Sequence, residues 1–140
     1  MIFSIASDLS TFKTVVFHAG LNVILADKFS KSNDKKTRNS AGKTSLIEIV
    51  NFLYGSKAEK GTLLRNPALE RHAFYGKLQI GTEVVEIGRR GKDASRIWMS
   101  KSDAAKFKAC LKTNGKTGQT YISNEQWKEI LTHRFFVFPR

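Results

Sequence analysis

The sequence predicts an α/β domain: a mixed sheet, rich in antiparallel strands, packed against a buried helix. Three observations predict it. Short apolar runs crowd the first 26 residues. A polar loop then gives way at Lys43 to an apolar stripe at helical spacing. Beyond Gly55, alternating segments separated by turn residues fill much of the chain.

Ile2 to Ala6 reads as a strand, Thr14 to Phe17 as a second and Asn22 to Ala26 as a third, with Ala19-Gly20 turning the chain between the last two. Val23 to Ala26 is apolar at consecutive positions, the pattern of a strand covered on both faces. Asp27 to Ser40 is polar, basic and without aliphatic residues, hence a loop. From Lys43 to Leu53, residues Leu46, Ile47, Val50 and Leu53 share one helical face, and Ile49 and Phe52 widen it. Gly55 stops that helix.

Thr62 to Arg65 forms a short turn limited by Pro67. Phe74 to Ile80 and Glu83 to Gly88 alternate as antiparallel strands about Gly81-Thr82, and Arg96 to Met99 adds another. Asp103 to Leu111 reads as a helix that turns the Cys110 thiol toward the core. Asn114 to Gly118 is a turn-rich break. Ser123 caps a last helix, Gln126 completes a capping box, and Trp127, Ile130 and Leu131 supply the apolar face.

The chain has 140 residues, which suits a single domain, and 41% hydrophobic with 26% charged residues is a globular rather than a disordered balance. Its 24 Lys and Arg against 12 Asp and Glu give a net charge of +12, a field that attracts nucleic acid and nucleotide phosphates. The basic residues are scattered along the whole chain, so a role in solubility alone is equally open. One cysteine excludes an internal disulfide framework and points to the reducing cytoplasm. No apolar run approaches the roughly 20 residues of a membrane span, and Met1-Ile2-Phe3-Ser4 lacks the basic start of a signal peptide. A soluble, cytoplasmic protein with no membrane partner is expected.

Chemistry concentrates in Thr37-Arg38-Asn39-Ser40-Ala41-Gly42-Lys43-Thr44. A phosphate-binding loop has Gly, four residues, Gly, Lys and then Ser or Thr; the last three positions match and Thr37 stands where the first Gly belongs. Backbone N–H groups of Asn39, Ser40, Ala41 and Gly42 would line an anion site at a helix N-terminus. Lys43 would reach the β and γ phosphates, Thr44 would hold Mg²⁺, and Ser45 would bond the α phosphate. The plain alternative is a helix that begins with Gly-Lys-Thr-Ser by chance, capped by Ser40.

At this point a family resemblance enters. Phe17-His18-Ala19-Gly20-Leu21-Asn22-Val23-Ile24 resembles the strand that opens the heads of structural-maintenance-of-chromosomes, RecF and RecN type ATPases. Asn39 matches the Asn before that family's loop glycines, and Ile49-Val50-Asn51-Phe52-Leu53-Tyr54-Gly55 is similar to the end of its motif helix. Ala26-Asp27-Lys28 and Arg38-Asn39-Ser40 are closest to a bacterial branch of coiled-coil ATPases. The resemblance is strong over residues 12–55 and topological beyond. It implies the N-terminal lobe of a P-loop, ABC-ATPase-like head spanning residues 1–140: the P-loop at 37–44, an antiparallel meander at about 73–100 and a last helix at about 124–133. It further implies ATP and Mg²⁺ as cofactors and the C-terminal half of the same head as a partner. A second head would join in an ATP sandwich, and the biology would be DNA repair, maintenance or defence.

The sequence departs from that pattern in three ways. Ser40 replaces a family Gly, and Thr37 replaces the first one. The loop from Asp27 to Arg38 is longer than usual; its Lys28, Lys31, Lys35, Lys36 and Arg38 read either as phosphate or nucleic-acid contacts or as a solvated surface. Walker B, signature loop and switch His are missing, so no residue is assigned a catalytic role and turnover by this lobe alone is not expected. Glu86 belongs to strand alternation, and Gln119 and Gln126 are poor substitutes for the family's Q-loop glutamine. His18, His72 and His133 lack the spacing of a zinc site. Phe135, Phe136 and Phe138 read as packing beneath the sheet, as a seam to the other half, or as base-stacking rings. The competing function is a basic nucleic-acid-binding module without nucleotide turnover.

Overall fold

A computed structural model describes residues 1–23 and 43–135, with Lys43 and Phe135 described by their backbone alone. Its strands are β1 (Ile2–Ser7), β2 (Val15–Val16), β3 (Ala73–Ile80), β4 (Glu83–Arg90), β5 (Arg96–Met99), β6 (Lys112–Thr113) and β7 (Thr120–Ser123). Its helices are α1 (Lys43–Leu53), α2 (Lys101–Lys106) and α3 (Asn124–Phe135). Among the described residues the strands form one seven-stranded sheet in the order β2-β1-β3-β4-β5-β7-β6.

Every pairing in that sheet is antiparallel, which corrects the expected mixed sheet. The reason is the place of β1. Strands β2 and β3 both run antiparallel to it, and therefore parallel to each other, but β1 separates them. The crossover through α1 thus joins two parallel strands that never pair.

Period-two alternation fixes the two faces of the sheet. Phe74, Leu78 and Ile80 of β3, Val85 and Ile87 of β4, and Ile97 and Met99 of β5 point inward and are buried. They meet Ile49, Phe52 and Leu53 of α1 and Trp127, Ile130 and Leu131 of α3 in one core cluster. The apolar stripe read from Lys43 to Leu53 is therefore the buried face of α1, although Ile47 turns outward and is 62% exposed.

Several elements differ from the sequence reading. The second strand shrinks to Val15–Val16; Asn22 and Val23 are irregular, and the rest of the third strand lies outside the described residues. Strands β6 and β7 were not anticipated. Helix α2 ends at Lys106 because Ala109 N–H donates to Ala104 O (3.0 Å) across Lys108, whose φ is 52°. That stop leaves Cys110 beyond the helix with its thiol exposed rather than facing the core. Ser123 does cap α3, accepting from Gln126 N–H at 3.1 Å. The Gln126 amide closes no box; it pairs with the Cys110 backbone, its oxygen 2.8 Å from Cys110 N and its nitrogen 3.3 Å from Cys110 O.

Among the described residues, no helix is long and apolar enough to cross a membrane.

Candidate functional site

Helix α1 is held by its far end. An α-helix leaves its last carbonyls without internal partners. Here the Arg89 guanidinium, 1% exposed, donates to Phe52 O and Ser56 O and, through Nε, to Ala94 O (2.8 Å). It also lies 4.2 Å from the centroid of the Phe52 ring. The Trp127 indole donates to Leu53 O (2.9 Å), and Asn124 Nδ2 donates to Gly55 O (3.0 Å). A cation at this terminus also complements the negative end of the helix dipole. Burial pulls the Arg89 pKa down to about 10, which leaves it charged at neutral pH. The sheet and α3 together set where α1 points.

At the other end, Lys43 opens the helix; Thr44 is exposed and Ser45 half-buried on the first turn. Asn39, Ser40, Ala41 and Gly42 lie outside the described residues, as do Lys28, Lys31, Lys35, Lys36 and Arg38.

The segment Phe17 to Asn22 is a closed turn. Asn22 Oδ1 accepts from His18 N–H (3.0 Å), and Asn22 Nδ2 donates to His18 O (2.8 Å) and Gly20 O (3.3 Å). Gly20 adopts φ 91°, a value that favours glycine, and Phe17 N–H donates to Phe3 O (2.8 Å) of β1. The spacing of Phe, Gly and Asn thus has a local physical cause. This turn faces α1 across an apolar groove of about 400 Å³ lined by Met1, Phe17, His18, Leu46, Ile47 and Val50. Phe17 and His18 are therefore neighbours in space of Leu46, Ile47 and Val50.

Glu86 is an exposed member of β4 opposite Lys77, its N–H bonded to Asp103 Oδ2 at 3.1 Å. His72 Nδ1 lies 3.0 Å from Asp8 Oδ1, and His18 Nδ1 lies 2.9 Å from Ala19 O. Among the described residues no cluster of His, Cys, Asp or Glu could hold a metal ion.

A second concave surface, not singled out by sequence, lies on the opposite face of the sheet. Its groove of about 600 Å³ is floored by Tyr75, Gly88 and Trp98 and edged by Ser100, Asp103 and Gln119. Burial, with the nearby Asp8 charge, raises the Tyr75 pKa further above neutrality, Arg90 acting against it. The signal was present in the alternation of Tyr75 and Lys77 on one strand and Gly88 and Arg90 on another. What a sequence does not give is the register that lines them up.

Compared with known protein families, curated proteins and solved structures, the chain matches none.

Proposed function

We propose that this chain is the ATP-binding N-terminal lobe of a P-loop, ABC-ATPase-like head related to the structural-maintenance-of-chromosomes, RecF and RecN type ATPases. The observation that supports it best is Lys43 at the first position of an eleven-residue helix whose tail is bonded to the sheet and to α3. A phosphate cradle needs this: amides and a Lys at a helix N-terminus, on a helix that cannot shift when a charged ligand arrives. Lys43 would meet the β and γ phosphates, Thr44 would supply an oxygen to Mg²⁺, and Asn39 to Gly42 would present N–H groups. The chain's own work is binding and orientation; hydrolysis would require a carboxylate from elsewhere.

Head pairing and DNA transactions are part of the same proposal. Val16 (75% exposed), Leu21 (83%), Val23 (68%) and Ile47 (62%) would offer the C-terminal half apolar contacts. Calorimetric titration of Mg²⁺ and ATP into the protein tests the reading. The expected outcome is saturable binding that Lys43→Ala weakens about 10-fold to 100-fold, the worth of a charge-assisted contact. No heat from the wild-type protein, or equal heat from the variant, would sink it.

A further inference from the structure

The register of the sheet builds one continuous row. Ala6, Tyr75, Gly88, Trp98, Tyr121 and Lys112 are successive Cα partners across β1, β3, β4, β5, β7 and β6. Residues in such a row share one face at a strand spacing of about 4.8 Å. It is the face opposite α1 and α3, and all three of its rings remain partly exposed, Tyr75 to 40%. Gly88 lets the rings close ranks. A Cβ there would lie 2.8 Å from Tyr75 Cδ1 and 3.2 Å from Trp98 Cε3, so the Tyr75 ring lies over the glycine and meets Trp98 at a centroid distance of 6.5 Å. Two cations lie on the same surface: the Arg90 guanidinium is 4.5 Å from the Trp98 centroid, and that of Arg96 is 4.6 Å from the Tyr121 centroid.

We propose that this face binds single-stranded nucleic acid, stacking unpaired bases on Tyr75, Trp98 and Tyr121 while Arg96 meets the phosphates. Flat rings and guanidinium planes are sequence-tolerant partners for a base, and only unpaired bases expose their faces. Cross-strand aromatic packing alone would account for a Tyr–Trp pair. It would not account for the partial exposure of three rings beside an open groove, with guanidinium planes laid over two of them. Three carboxylates on or beside this face are already engaged: Asp93 by Arg90, Asp103 by Lys106 and Asp8 by His72, each at about 3.0 Å, while Glu86 is the cross-strand neighbour of Lys77. The chain as a whole keeps a charge of +12, so a polyanion fits and an acidic surface is not what it meets. The proposal rests on this face and not on the nucleotide reading.

The test is fluorescence anisotropy with a labelled oligothymidylate of about 12 nucleotides, in the absence of nucleotide. Wild-type protein should bind it, and Trp98→Ala and Tyr75→Ala should each weaken binding about tenfold or more, whereas Trp98→Phe keeps a ring and stays within about threefold. A second readout needs no variant to fold. The protein has two tryptophans, and Trp127 is wholly buried, so quenching by the oligonucleotide reports Trp98. Quenching with single-strand preference supports the proposal. Unchanged affinity in folded alanine variants, equal affinity for a duplex of the same length, or absent quenching overturns it. So does self-association, seen by sedimentation without oligonucleotide binding, that Trp98→Ala abolishes; the face would then serve a second copy.

Discussion

Arg89 shows how one side chain decides the fit of two elements. It is the largest buried charged residue among those described, and its bonded neighbours are three carbonyl oxygens and a ring rather than a carboxylate. Two of those oxygens belong to Phe52, in the last turn of α1 and also bonded to Gly55 N–H (3.1 Å), and to Ser56 just beyond the helix. Truncation therefore removes packing and three buried hydrogen bonds at once. Arg89→Ala is expected to cost about 3 kcal/mol or more, read as a lower urea midpoint. Arg89→Lys should recover only part of this, because an ammonium does not span three carbonyls in a plane. The sign of the pH effect follows from burial. The folded state holds the Arg89 proton less tightly than the unfolded chain does, so the burial cost is carried in full at neutral pH and eases only above about pH 10.

At the scale of elements, local chemistry was legible and long-range pairing was not. The stripe of Leu46, Ile47, Val50 and Leu53, widened by Ile49 and Phe52, specified α1 although Ile47 turns outward, and the alternation on either side of Gly81-Thr82 specified β3 and β4. The Ser123 cap was legible too. Ser123→Ala is expected to cost about 1 kcal/mol of stability, measured by chemical denaturation, since it orphans the Gln126 N–H. By contrast, the expected box failed because the Gln126 amide found the Cys110 backbone, a partner 16 positions away by residue number that spacing does not reveal. The helix read through Leu111 failed because Lys108 enters the left-handed region, a choice that residue type does not announce. Strand β6 has two residues, and β7 (Thr120–Ser123) adjoins the turn-rich break and the Ser123 cap, whose signals dominate there.

For the whole molecule, the candidate site was half legible. Gly42-Lys43-Thr44 and the Phe17 to Asn22 segment stand out in one dimension, and α1 and the turn do meet across a groove. The aromatic row did not stand out, because its members come from separate strands and only the register unites them. The distribution of apolar surface has its own consequence. Val16, Leu21, Val23 and Ile47 are large hydrophobic residues left exposed, and Ile47 lines the groove beside the turn. Exposed apolar side chains of this size favour association. Sedimentation of the 140-residue chain should show concentration-dependent self-association, and Ile47→Lys should shift it toward monomer. A monomer at every concentration would count against those contacts.

The bonds at the tail of α1 have a last implication for its head. An eleven-residue helix is marginal by itself, since isolated helices need about 12–15 residues to persist in water. Fraying from Leu53 would have to break contacts with both β4 and α3, whereas unwinding from Lys43 meets none of these. The bearing of the Lys43 end is thus tied to residues that come later in the chain, Arg89 and Trp127.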